Sequence, residues 1–317
     1  LIRRLILLFS AVLLGACARA PVVPIGSAGL PGSVELVTVP FFAQQDYQCG
    51  PAALATVLTQ RGIATSPERL VERVYLPQRK GSLQVEMVAA ARSHDLVVYP
   101  LEPRLEAVLA EVASGNPVLV LQNLAFDRWP QWHFAVVVGY DLARQQIILR
   151  SGTTRRLTED FRRFERSWAK ANRWAVVTVE PSAIPSTASE TAWLKAASDL
   201  EQTGHDQAAL QAYRASTMRW SSGLTWFALA NAHYAQGNRP AAERALRTSI
   251  GQNDLFAPGW FNLSQVLAER GCLDQASMAQ RCAARLAPDD RRFKAPPSSA
   301  RKVGGTCEAL PACPVSE

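Results

Sequence analysis

The feature that most constrains this chain is a spacing in its second half. Trp193, Trp226 and Trp260 stand 33 and 34 residues apart, and Gly204, Gly237 and Gly271 keep the same intervals. Small residues follow in step, first Ala209, Ala242 and Ala276, then Ala212, Ala245 and Ala279. A repeat of this length is a unit that cannot bury its apolar side alone and must stack on copies of itself. Three units, about 191–288, are just enough for a shared core, so the tryptophans, Leu200, Tyr234 and Leu267 are assigned to it.

In this phase, with Pro288 near the end of the last unit, the segment resembles the tetratricopeptide repeat. The resemblance implies that each Trp-to-Gly stretch is a first helix, that the small residues let the second pack close, and that a concave surface serves a protein partner, for which Arg214, Arg219, His233 and Asn262 are candidates without a fixed orientation. His205 and His233 read as surface residues of the array. PSAIPSTASE, from Pro181 to Glu190, is rich in Pro, Ser and Thr and gives a linker over 182–190. A chain of 317 residues, 48% hydrophobic, has room for a second domain before it, over 33–181.

That domain is organised around PFFAQQDYQCGPAALATVL, Pro40 to Leu58. Gly50 and Pro51 follow Cys49, and proline suits a first helical turn, where its missing N–H has no partner to lose. Ala52, Ala53, Leu54, Ala55, Val57 and Leu58 predict a helix buried along much of its length. A thiol at that helix start is expected to have its pKa lowered by the helix dipole and so to be a better nucleophile. Further helices are expected from Ser66, from Ser82 and over Leu105 to Val112. Strands are expected at Val34 to Val39, Val97 to Tyr99, VLVLQNL from Val118, HFAVVVGYD (His133 to Asp141) and QQIILRSG (Gln145 to Gly152), the last two forming a hairpin. A basic helix over about Thr158 to Ala171 and a strand from Trp174 to Glu180 complete an α+β arrangement.

QQDYQCGPAALATVL together with WHFAVVVGYD resembles the peptidase C39-like family, and KGSLQVEMVAAARSHDLVVYPL resembles its middle helix and following strand. The resemblance covers about 150 residues and implies a papain-like fold. It implies Cys49 as nucleophile and His133 as the base that takes its proton. It also implies an upstream glutamine as oxyanion donor beside the Cys49 peptide N–H. The family's usual glutamine position falls on Ala43; Gln44 needs a one-residue deletion and Gln45 two, and Gln44 is chosen. Gln48 reads as a loop residue. The family's orienting Asp is a departure: Asp141 lies roughly 26 Å along an extended strand from His133. The hairpin's return brings Ser151 to Thr153 back instead, with Ser151 and Gly152 where relatives carry Asp-Pro. Serine can hold the imidazole but cannot stabilise an imidazolium as a carboxylate does.

At the other end, Arg3 and Arg4 precede an apolar run from Leu5 to Leu14, which reads as a signal-peptide core. LGAC, Leu14 to Cys17, resembles the lipobox of bacterial lipoproteins, which implies lipidation at Cys17 and a signal peptide over 1–17. Ala18 after the cysteine implies the outer membrane, periplasmic side. Residues 18–32, rich in Pro and Gly, are a flexible tether. An exported chain makes Cys272, Cys282, Cys307 and Cys313 disulfide candidates with three pairings open, one tail cysteine being expected to pin the irregular end, 289–317, to the last repeat. No CxxC, HExxH or paired histidines suit zinc, and no cofactor or metal is expected. The +7 charge is spread out and interleaved with acids, which gives no case for nucleic acid. Without a Walker A motif or a second hydrophobic span, the chain does not read as an exporter.

Together these readings predict an envelope cysteine peptidase, lipid-anchored, acting on a peptide or protein and using its repeats for a protein partner. The alternatives are a degenerate peptide-binding domain of the same fold, or an adaptor in which the repeats carry the function.

Overall fold

The computed structural model describes residues 29–44, 48–294 and 307–314; Cys17, its leader and Gln45 lie outside them. Two compact units result, one of the described residues to Leu83 with Leu101–Val176, the other of Gln84–Pro100 with those from Val177 onward. In chain order the first unit holds β1 (Ser33–Glu35), α1 (Cys49–Gln60) and α2 (Pro67–Val74). The second then takes α3 (Gln84–Arg92) and β2 (Val97–Pro100). The first resumes with α4 (Leu105–Ala113), β3 (Val118–Asn123), β4 (Trp132–Asp141), β5 (Gln146–Ser151), β6 (Thr154–Asp160), α5 (Phe161–Ala169) and the opening of β7 (Ala175–Val179).

The first unit is built on an antiparallel sheet in the order β7-β3-β4-β5-β6, with β1 added to β4. β3 is buried at all six positions and β4 from Phe134 to Tyr140, which places them at the centre. Their register sets Gln122 opposite His133 and Val120 opposite Ala135. Helix α1 has no polar face: Gly50 to Leu58 are all buried, and the Thr56 hydroxyl satisfies itself on the Ala52 carbonyl at 3.0 Å. It packs on β4. At Gly139, where the β4–β5 register shifts, a Cβ would stand 2.6 Å from the Val34 carbonyl oxygen, so only glycine lets β1 lie alongside.

One expectation is corrected here. Thr158 does not open the basic helix; Thr154–Asp160 is instead the strand β6, largely exposed and paired with β5. Two threonines and a run of charged side chains suit an outer strand, where charge blunts further pairing. The helix begins only at Phe161, because the Asp160 carboxylate caps it by accepting from the Arg162 and Arg163 peptide N–H groups at 2.9 and 3.4 Å.

The second unit carries six further helices: α6 (Glu190–Gln202), α7 (Asp206–Arg219), α8 (Gly223–Ala235), α9 (Arg239–Gln252), α10 (Ala257–Glu269) and α11 (Leu273–Leu286). Consecutive helices pack on one another. The spaced glycines explain the period. Gly204, Gly237 and Gly271 each follow the end of a first helix with φ near +80° (87°, 78° and 84°), the left-handed cap that glycine adopts without cost. Trp193 and Trp260 are buried, each with its indole N–H on a carbonyl, Ala212 at 2.9 Å and Asp254 at 2.7 Å. Tyr99 of β2 sits with its ring 6.5 Å from that of Trp193. His205 Nδ1 lies 2.7 Å from Asp95 Oδ1. His233, expected at the surface, is buried instead, because it occupies a core position of α8. Asn262 donates to Asn231 at 2.8 Å, whereas Arg214 and Arg219 line a separate cavity with Ser182 and Ile184.

Two disulfides close the unit, Cys272–Cys307 and Cys282–Cys313, each with Cα atoms 5.6 Å apart. Both pin the tail to the last helix pair. Leu310 packs on the core, Arg247 donates to the Glu308 and Ala309 carbonyls, and Arg285 donates to those of Cys313 and Pro314. Among the described residues no helix is long and apolar enough to cross a membrane, and no group of His, Cys, Asp or Glu is placed to hold a metal ion.

Candidate active site

Cys49 is the first residue of α1, half-buried, and the only free cysteine among the described residues. Its pKa does not move as the helix dipole alone predicts. Burial pushes the thiol up, and the peptide N–H groups of Phe134, Gly50 and Cys49 itself pull only partly the other way. A helix end carries a partial charge, whereas taking a thiolate from water penalises a whole one, so desolvation prevails. The Phe134 contact also fixes position, since it sets the sulfur beside the residue that follows His133.

His133 is the second residue of β4, and its Nε2 lies 2.8 Å from the Ser151 hydroxyl oxygen at the end of β5. Burial pulls the imidazole down to about 4, so it is neutral at pH 7. With Nε2 engaged, Nδ1 is the nitrogen left for another partner. Serine does not decide the tautomer: its hydroxyl can accept from Nε2–H or donate to a bare Nε2, whereas a carboxylate does only the first. Ser151 is 8% exposed. Asp141 is engaged elsewhere, accepting from the Arg144 peptide N–H at 2.9 Å and its guanidinium at 2.8 Å.

Gln44 is half-buried, and its peptide N–H donates to the Gly152 carbonyl at 3.1 Å, which ties the segment before α1 to the turn after Ser151. Gln48 precedes α1 without capping it through its side chain. The sequence reading overlooked two supporting residues. The buried Arg150 donates to the Val39 carbonyl at 3.3 Å and the Arg155 carbonyl at 2.8 Å, bracing the same segment. A lone charge in the apolar run IILRSG was the signal for it. Asn123 accepts from the peptide N–H groups of Ala125 and Gln131 at 3.1 and 2.9 Å and shapes the loop that leads into His133.

The arrangement thus sets a thiol at a helix start and an imidazole on an adjoining strand. Residues 36–176 match the model of the Peptidase_C39 like family. Among solved structures, the chain is similar to a protein described as a C39-like peptidase from Bacillus anthracis, with 17% identity and a TM-score of 0.40 over 47% of this chain and 98% of that one. It is similar to a double glycine motif protease from an AMS/PCAT transporter in complex with the leader peptide, with 20% identity and a TM-score of 0.33 over 45% of this chain and 90% of that one. It is also similar to the peptidase domain of Streptococcus ComA, a bi-functional ABC transporter involved in quorum sensing, with 19% identity and a TM-score of 0.35 over 44% and 98%. No curated protein matches the chain.

Proposed function

We propose that the protein is an exported cysteine peptidase of the C39-like type, lipid-anchored through Cys17 in the cell envelope, whose tetratricopeptide-like repeats bind a protein partner. What carries the catalytic part is the placement of His133, held by Ser151 on Nε2 and adjoining, through Phe134, the sulfur of Cys49. The thiol proton passes to His133 Nδ1 as Sγ bonds to the peptide carbonyl carbon. The Cys49 peptide N–H and the Gln44 side-chain amide receive the oxyanion. Collapse expels the amine, which takes the proton from His133 and leaves a thioester. Water then attacks with His133 as base, releasing the acid and restoring the thiol.

A second reading keeps the fold without the chemistry. It is favoured by Ser151 in the place of an acid and by a Cys49–His133 pair whose pKa shifts both oppose the thiolate–imidazolium form. Labelling by a thiol-reactive peptidyl electrophile separates the two. A peptidase labels at Cys49 far faster than an exposed model thiol does, and His133→Ala removes the advantage. Labelling at the model-thiol rate rules the peptidase out.

A further inference from the structure

The loop between β3 and β4 carries an unusual surface. Leu124 is 49% exposed, Phe126 75%, Trp129 70% and Trp132 51%, four large apolar side chains within nine residues. The loop is built rather than slack. Asn123 holds both of its ends, the Leu124 peptide N–H donates to the Gln131 carbonyl, and Phe126 and Trp129 form a bridge at the tip. Exposed aromatics on a rigid turn mark a contact surface, since a monomer in water has no reason to hold them out.

Charge indicates the partner. Arg128 lies over the Trp129 ring at 5.3 Å, and Lys170 Nζ donates to the Ala125 carbonyl at 2.6 Å. Arg166, exposed, precedes Lys170 by four residues and so shares its side of the segment. Beside these three cations stand Asp127 in the loop and Glu159 and Glu165 near α5, the last two engaged by Arg163 and Arg173. Aromatic side chains flanked by Arg and Lys are what the headgroup region of a bilayer accepts, the rings entering the acyl boundary and the cations meeting lipid phosphate. A peptide held at Cys49 fits less well. Trp132 immediately precedes His133 in a regular strand and therefore projects from the opposite face.

We infer that this loop docks the first unit on an anionic phospholipid surface, with Phe126 and Trp129 inserted and Arg128, Arg166 and Lys170 at the headgroups. The contact is separate from the chemistry at Cys49 and from any acyl anchor. Sedimentation of the chain from residue 17 onward with Cys17→Ser, which carries neither the leader nor an acyl group, tests it with vesicles of phosphatidylglycerol and phosphatidylethanolamine and with phosphatidylcholine alone. The expected result is salt-sensitive binding to the anionic vesicles, weakened on the order of tenfold or more by Phe126→Ser with Trp129→Ser. Arg128→Glu is expected to weaken it too, while Trp129→Leu retains most of it. Peptidyl labelling of Cys49 without lipid is expected to be unchanged in each variant and reports the intact fold. Absence of vesicle binding overturns the inference, as does equal binding by the double serine variant. Slower peptidyl labelling of the serine variant, with its unfolding midpoint unchanged, also overturns it and makes the loop a substrate rim.

Discussion

Replacing Ser151 by Asp restores a charge where the site has only a hydroxyl. The serine oxygen stands 2.8 Å from His133 Nε2, so a carboxylate one atom longer reaches the same nitrogen after a small adjustment. An opposite charge at this range raises an imidazole pKa by about 1 to 3 units, each worth about 1.4 kcal/mol. His133 starts from about 4, so it rises towards the value of a free histidine. In the mechanism proposed above, the same energy stabilises the imidazolium that forms as Cys49 attacks. The new carboxylate is itself buried, which raises its own pKa and cancels part of the gain, so an acceleration of about tenfold is the expected scale. The rate of Cys49 labelling by a peptidyl electrophile, followed between pH 5 and 9, reads it directly. Ser151→Asp is expected to label faster at pH 6 to 7, with the rise moved to lower pH. Ser151→Asn, which can accept from Nε2–H without charge, separates the tautomer from the electrostatics and should fall between. Labelling unchanged in Ser151→Asp, with an intact unfolding transition, would refute the view that Ser151 acts through the ring.

Three other perturbations probe the fold. His133 is held neutral well below its unfolded pKa, so the unfolded chain binds a proton first and stability falls as pH drops from 6.5 towards 4. His133→Gln should remove up to about 3 kcal/mol of that fall in urea titrations compared at pH 7 and pH 4.5; His233, shifted the same way, is common to both proteins and cancels. Gly139→Ala drives a methyl into the Val34 carbonyl and should cost about 1 to 3 kcal/mol by displacing β1, measured as a lower urea midpoint. Cys272→Ser with Cys307→Ser opens a loop closed over a separation of 35 residues and should lower stability by up to about 4 kcal/mol on the chain-entropy scale, measured by urea unfolding under non-reducing conditions.

Legibility in the sequence depended on how local each signal was. The Cys-Gly-Pro helix, the apolar run of β3 and the glycine stops after α6, α8 and α10 are short-range patterns, set by a proline, a continuous hydrophobic stretch and a left-handed cap. The direction of the Cys49 shift was not legible, because it depends on β4 being laid over the helix start, which no local pattern encodes. β6 was missed since its charged residues read equally well as a solvated helix face until Asp160 is seen to cap α5. The pairing of four cysteines was open until a fold brought Cys307 to Cys272 and Cys313 to Cys282.

Those two sulfur links bear on when the molecule is finished. A stack of helix pairs needs something to cover its last surface, and here that role falls to a tail too short to fold by itself, fastened by oxidation and by carbonyls in the grip of Arg247 and Arg285. Such a fastening forms only where thiols are not kept reduced. Oxidation of these two pairs is thus the step that closes the stack, and a copy kept reduced has an open seam along α11.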